Sequence, residues 1–235
     1  LLSKFLISIY KSADKVRSLN PFMTKKLYDL GISDNVVEIY NRVNLELFNQ
    51  IKSDYHLQDD VLKLVSVGRF VKEKNYENLI KYLSKSPLQY HLTLIGGGEL
   101  SDNYTKLIKE LELQKNVTLI DWIDQKDFIK ILINSDIYIQ SYVSEGMPRT
   151  IVEAMALQMP IISTKVGSIE GVIENDTNGL LVSTDEEEII RTIMKMGSSE
   201  ILRSKLAKQA RKDVIEKYEW NSVFNKYRNE IISMK

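Results

Sequence analysis

The sequence predicts an α/β fold built on a doubly wound, Rossmann-like parallel sheet, and three observations carry that expectation. Six short apolar runs rich in β-forming residues recur: VLKLVSV (61–67), HLTLIG (91–96), VTLI (117–120), IYIQS (137–141), PIIST (160–164) and GLLVS (179–183). Helical periodicity lies between or after them, at 75–86, 100–114, 125–134, 148–158 and 185–195. The 235 residues, 43% hydrophobic and 27% charged, suffice to bury a core in one large domain or in one domain plus a partial second. Strands alternating with helices close most economically through right-handed crossovers into a parallel sheet.

The elements follow in order. The first 44 residues read differently from the rest: a helical opening, a short strand around KVRSL, the helix PFMTKKLYDLG with Pro21 at its start and Gly31 at its end, then the strand VVEIY. Residues 1–44 are therefore expected to be the end of another domain plus a linker. The polar stretch NQIKSDYHLQDD (49–60) leads to the first clear strand, and 45–217 is expected to form the main domain. After the last strand, 198–217 and 219–234 read as two further amphipathic helices that pack across the sheet, the second forming a terminal segment at 218–235. Tyr218, Trp220, Phe224 and Tyr227 lie near helical spacing there, and such a stripe is expected to be core.

Composition excludes several classes of function. Lys+Arg and Asp+Glu each total 32, so no global field recruits nucleic acid, and any anion site must be local. With no cysteine there is no disulfide framework, thiolate nucleophile or Cys-ligated zinc, which is compatible with a reducing cytoplasm. His56 and His91 form no metal-ligand spacing, so no metal is expected. No apolar run reaches the roughly 20 residues of a membrane helix. The opening LLSKFLISIY is interrupted by Lys4, does not read as a signal peptide, and lacks an initiator methionine; we read the chain as a fragment. The basic run KSADKVRSLNPFMTKK reads as a solvated face rather than a lipid-binding one.

Chemistry is expected beyond the carboxyl ends of the first and fourth main strands. In a sheet of order 3-2-1-4-5-6 those two are neighbours, and ligands bind at that switch point. The facing loops are GRFVKEKN (68–75) and YVSEGMPRT (142–150). The first offers Arg69 and Lys74, a fork and a point charge suited to a diphosphate. The second runs into a helix that Pro148 can start, aiming free N–H groups and a positive dipole end at the crevice. Glu145 precedes that helix and Glu153 lies in its first turns; a carboxylate accepts two hydrogen bonds from adjacent sugar or ribose hydroxyls. The GGGE turn (96–99) does not follow the first strand, which rejects a dinucleotide fingerprint.

These residues carry a resemblance. The segment SYVSEGMPRTIVEAMALQMPIISTKVGS (141–168) resembles the Glu, seven residues, Glu signature of retaining glycosyltransferases of the GT-B fold, family four. NRVNLELF (41–48), VSVGRFVKEKN (65–75), LTLIGGGEL (92–100) and SDIYIQS (135–141) resemble, in order, the interdomain segment, the phosphate loop, the following strand and glycine turn, and the strand before the signature. The resemblance covers about 10–235 and implies that the chain is the C-terminal, donor-binding half of such a fold, with the bulk of an N-terminal acceptor domain missing and 218–235 as the crossing helix.

By resemblance, Arg69 and Lys74 hold the donor diphosphate and stabilise the leaving nucleoside diphosphate, and Glu145 contacts hydroxyls of the transferred sugar at the reacting face. Glu153 binds the ribose, while Gly68, Gly97, Gly146, Met147, Pro148 and Thr150 complete the donor site, partly through backbone amides. The implied donor is a UDP- or GDP-sugar and the acceptor a glycan or lipid-linked glycan in polysaccharide or glycoconjugate synthesis. No cofactor or metal is implied, and a cytoplasmic location with peripheral contact at the inner membrane face fits such an acceptor. Departures exist: Asn41-Arg42-Val43-Asn44 replaces the usual Asn-Gly-Val-Asp, Gln158 and Ser168 replace glycines, Gly171 stands where glutamate is common, and Asp121-Trp122 occupies a position that often holds glycine. Trp122 is expected to be a partly buried core residue rather than a stacking platform. A noncatalytic nucleotide-binding or regulatory module and a GT-B-like sugar-nucleotide epimerase stay open as alternatives.

Overall fold

The computed structural model describes residues 2–57 and 60–232. The chain opens with α1 (Leu2–Ser12), β1 (Val16–Ser18), α2 (Pro21–Asp29) and β2 (Val36–Glu38), where β1 and β2 form their own parallel pair. Asn20 starts α2 by accepting the Met23 N–H on its side chain at 2.8 Å, and Pro21 needs no partner in the first turn.

The main body runs β3 (Leu62–Val67), α3 (Tyr76–Ser84), β4 (Tyr90–Ile95), α4 (Ser101–Glu110), β5 (Val117–Ile120), α5 (Gln125–Ile133), β6 (Ile137–Gln140), α6 (Arg149–Ala156), β7 (Ile161–Thr164), β8 (Leu180–Val182), α7 (Glu186–Gly197), α8 (Glu200–Lys217) and α9 (Trp220–Ile232). Its six strands are all parallel in the order β5-β4-β3-β6-β7-β8, the doubly wound arrangement expected. Three helices are shorter than their periodicity predicts by three residues or more, among them α3, which spans Tyr76–Ser84 within the 75–86 pattern. The 100–114 pattern stops at Glu110, two residues before Glu112 turns to a φ of 56°, and the 148–158 pattern stops at Ala156, before Gln158 at a φ of 61°. Residues 233 to 235 of the terminal segment lie outside the described residues.

Both faces of the sheet are covered, which is why its strands read as continuous apolar runs instead of alternating ones. On β3, Val65 and Val67 enter one cluster with Tyr138, Ile151, Met155 and Val214, while Leu62 and Leu64 enter the other with Leu79, Leu92 and Ile193. On α8 the stripe Arg203, Leu206, Ala207, Ala210, Asp213 and Val214 is buried, so this helix turns two charged residues inward. Arg203 donates to the Met196 carbonyl at 2.8 Å, and Asp213 accepts from Asn178 at 2.6 Å, so neither stands unsatisfied.

The connecting stretch is tied to the sheet domain along its length. Val43 donates to the Tyr218 carbonyl (2.9 Å) and accepts from the Trp220 N–H (3.0 Å), Lys52 N–H donates to the Leu157 carbonyl (2.9 Å), and the Tyr55 hydroxyl to that of Gln158 (3.0 Å). The expected core role of the α9 aromatics is corrected for three of four. Tyr218, which precedes α9, is buried, whereas Trp220, Phe224 and Tyr227 on α9 are partly exposed, the Trp220 ring facing the Arg42 guanidinium 4.0 Å from its centroid.

Candidate active site

Beyond the carboxyl ends of β3 and β6, which pair Leu64 with Ile137 and Val65 with Tyr138, two loops meet as one unit. The Val143 N–H donates to the Glu73 carbonyl at 3.0 Å, and the Ser141 hydroxyl lies 3.1 Å from the Lys74 carbonyl and 3.2 Å from that of Asn75. The first loop folds into a 3₁₀ turn at Lys72–Lys74, and Asn75 takes a left-handed φ of 57° to enter α3.

That turn delivers Lys74 onto Glu145, and the two side chains form a largely buried ion pair. The second Glu145 oxygen accepts the Gly146 N–H at 2.9 Å. Lys74 Nζ also lies 4.4 Å from the centroid of the Tyr142 ring, which is fully buried. Gly68 leaves room for this side chain: a Cβ there would stand 3.2 Å from Lys74 Cε and 2.9 Å from Tyr76 Oη. At the back of the loop, Gly167 turns to a φ of 57° and brings its Cα against the Glu145 carbonyl, an approach that any side chain would block.

Glu153 stands on α6. Pro148, expected at the first helical position, is instead the residue before it, at φ −74° and ψ 113°, so the free N–H groups of the first turn begin at Arg149. Burial lifts the Glu153 carboxyl above its ordinary 4.5, with Arg149 opposing the shift from 3.6 Å. Thr150 and Glu153 line a cleft of about 390 Å³ floored by Val67, Ile95 and Phe48 and flanked by Trp122 and Trp220. Trp122 is 64% exposed, which corrects its expected core placement. Its ring borders a neighbouring cleft lined by Arg69, Gly97 and Asp121.

The predicted residues thus divide into three groups. Lys74, Glu145 and Gly146 are in mutual contact with Gly68 beneath them; Thr150 and Glu153 share the apolar cleft; Arg69 and Gly97 share the next one. The Arg69 side chain is exposed and makes no hydrogen bond or ion pair among the described residues. Met147 is buried: its carbonyl accepts from Asn41 Nδ2 at 2.8 Å and its sulfur lies 3.2 Å from the Asn41 nitrogen. Its side chain therefore fastens the linker to the loop. Sequence reasoning missed Tyr142, Ser141 and Asn41, whose roles rest on contacts between distant segments. Among the described residues no three His, Asp or Glu side chains converge, and no helix is long and apolar enough to cross a membrane.

Comparison with known proteins places the chain in a family. The lipopolysaccharide core biosynthesis glycosyltransferase LpsE of Rhizobium meliloti is 25% identical over 223 residues, covering 94% of this chain and 65% of its own length. The N-acetylgalactosamine-N,N'-diacetylbacillosaminyl-diphospho-undecaprenol 4-alpha-N-acetylgalactosaminyltransferase of Campylobacter jejuni is 33% identical over 198 residues, covering 80% of this chain and 52% of its own. Among solved structures, Anabaena HepE in complex with UDP-glucose superposes with a TM-score of 0.86 at 18% identity, covering 98% of this chain and 67% of that one, which supports the fold. The chain spans about half to two thirds of the length of these curated relatives. The sequence profile described as Glycosyl transferases group 1 matches residues 48–213, and the chain belongs to that family.

Proposed function

We propose that this chain is the donor-binding part of a retaining glycosyltransferase that takes a UDP- or GDP-sugar and passes the sugar to a glycan or lipid-linked acceptor. The observation that carries the reading is the Lys74–Glu145 pair, formed between the two loops that face each other beyond β3 and β6 at the sheet's switch point, with Glu153 on the helix that the second loop enters. Glu153 accepts the ribose hydroxyls, the exposed Arg69 and the partly buried Lys74 take the diphosphate, and the free N–H groups at the start of α6 add donors to it. Glu145 then exchanges Lys74 for the sugar hydroxyls. As the glycosidic bond breaks, negative charge grows on the leaving diphosphate, and Lys74 and Arg69 stabilise it without a metal. Gly146 favours close approach, since a Cβ there would meet no atom within 4 Å: the space is left open by the protein itself.

Residues 1–44 are proposed as the end of an acceptor-binding domain and its linker, with α9 crossing back toward that domain. Work at the inner membrane face would suit a lipid-linked acceptor. The test is a thermal-shift titration with UDP, GDP, ADP and their nucleosides, where ligand at 100 times its Kd adds about 2.7 kcal/mol. One diphosphate shifting the melt well beyond its nucleoside is expected and names the base. No shift with any diphosphate removes the donor reading. In the complete enzyme, Glu145→Ala is expected to keep nucleotide affinity and lose transfer; binding without transfer or hydrolysis by the unaltered enzyme would favour a regulatory module instead.

A further inference from the structure

We infer that Tyr142 is a positioning residue that seats the Lys74 ammonium at the mouth of the crevice; its role toward a ligand rests on the donor reading above. Among the described residues the Lys74 ammonium has two partners, the Glu145 carboxylate and the face of the Tyr142 ring at 4.4 Å. They act differently. A carboxylate holds an ammonium by cancelling its charge, so while Glu145 is engaged the cation has little left for a phosphate. A ring face attracts through its quadrupole and carries no net charge, so it fixes the ammonium and leaves the positive charge available. Once sugar hydroxyls occupy Glu145, the ring is the partner that remains.

The surroundings make the ring a rigid seat. Tyr142 is fully buried, its carbonyl accepts the Thr164 hydroxyl at 2.7 Å, and the residues on either side, Ser141 and Val143, bond back to the Lys74 loop. Ring and ammonium are therefore carried by two loops tied together by hydrogen bonds, and neither moves without the other. Arg69, exposed and lacking such a seat, orders only on the ligand.

The test uses Tyr142→Leu, which removes the face, and Tyr142→Phe, which keeps it and deletes only the hydroxyl. Affinity for UDP and GDP is expected to fall about fivefold or more in the Leu variant. The parent nucleosides should change by less than about twofold, and Phe should restore the diphosphate affinity. In a Lys74→Met background the Leu change should add no further loss, the coupling that a merely structural role would not produce. Equal losses with and without Lys74, or a Phe variant as impaired as Leu, overturn the inference. A second readout needs no ligand. In the chain labelled with ¹³C-lysine, the Lys74 side-chain signal, assigned through Lys74→Arg, should be shifted upfield by the ring in the unaltered and Phe forms and return to the bulk lysine position in Leu. A Lys74 signal at the bulk position in the unaltered chain rejects the seat, whereas a shifted signal in a chain that binds no diphosphate keeps the seat and rejects the donor reading.

Discussion

Glu145 and Glu153, two carboxylates of one sequence signature, are held in opposite electrostatic settings. Glu145 sits in a loop against Lys74 and the Gly146 N–H, so its charge is matched before any ligand arrives. Glu153 sits in the first turns of α6 beside an apolar floor, and its nearest cation, Arg149, has a largely exposed side chain that screens it weakly. The loop glutamate is kept in place by interactions a ligand must replace. The helix glutamate is under-compensated, and hydroxyl donors there relieve a cost the fold already carries. One region stores order, the other stores unsatisfied charge.

The largest effect should come from breaking the loop side. Lys74→Met removes a charge-assisted contact and leaves Glu145 largely buried without its cation, so nucleoside diphosphate affinity should fall by about 1.5–3 kcal/mol in a calorimetric titration while nucleoside affinity holds. A loss shared equally by the nucleoside would erase the division between the two sides. Glu153→Ala should do the converse, weakening the nucleoside by about 1.5 kcal/mol, the lower end for a hydrogen bond to a charged group.

Acid titration sharpens the same contrast. Burial raises the folded-state value of Glu153 above the ordinary 4.5, so between the two values the folded chain binds more protons than the unfolded one. The ionised group therefore opposes folding once the pH exceeds its raised folded value, and this cost disappears below the ordinary value. Glu153→Gln should raise the melting temperature at pH 7 and lose that advantage near pH 4; a gain that persists at pH 4 would mean that burial of the charge is not its source.

Smaller effects should follow at the rims. Trp122→Ala, at a 64% exposed site, should change stability by no more than about 0.5 kcal/mol yet weaken the nucleoside by about 1 kcal/mol if the ring stacks on the base. Gly146→Ala, with no atom within 4 Å of the added carbon, should be near neutral in melting temperature, within about 0.5 kcal/mol, and should still weaken diphosphate-sugar binding. Neutrality in both would show that no ligand approaches that backbone.

Much of this arrangement was legible in advance. Strands bounded by glycine and polar turns were found within two residues of their observed ends, since a doubly covered parallel sheet leaves continuous apolar runs and little ambiguity of type. Helix ends were less legible: Gln158 takes a left-handed φ of 61° that no periodicity announces, and Pro148 lies one position outside the helix it was expected to begin. The aromatics were misjudged for one reason. Spacing shows that Trp220, Phe224 and Tyr227 share a helix face, but not what meets it, and the structure leaves all three partly exposed, with Arg42 over the Trp220 ring.

By itself, then, the sequence determined the fold class, the strand order and the two loops that face each other, because apolar periodicity and the handedness of parallel crossovers depend on local pattern and general chirality. Only the tertiary structure decided that Lys74 meets Glu145 from 71 positions away, that the Tyr142 ring lies beneath it, that Trp122 faces outward and that Glu153 is partly buried beside only the exposed Arg149. Those outcomes depend on which distant groups come within a few ångströms, and electrostatic and ring contacts weaken steeply beyond that range.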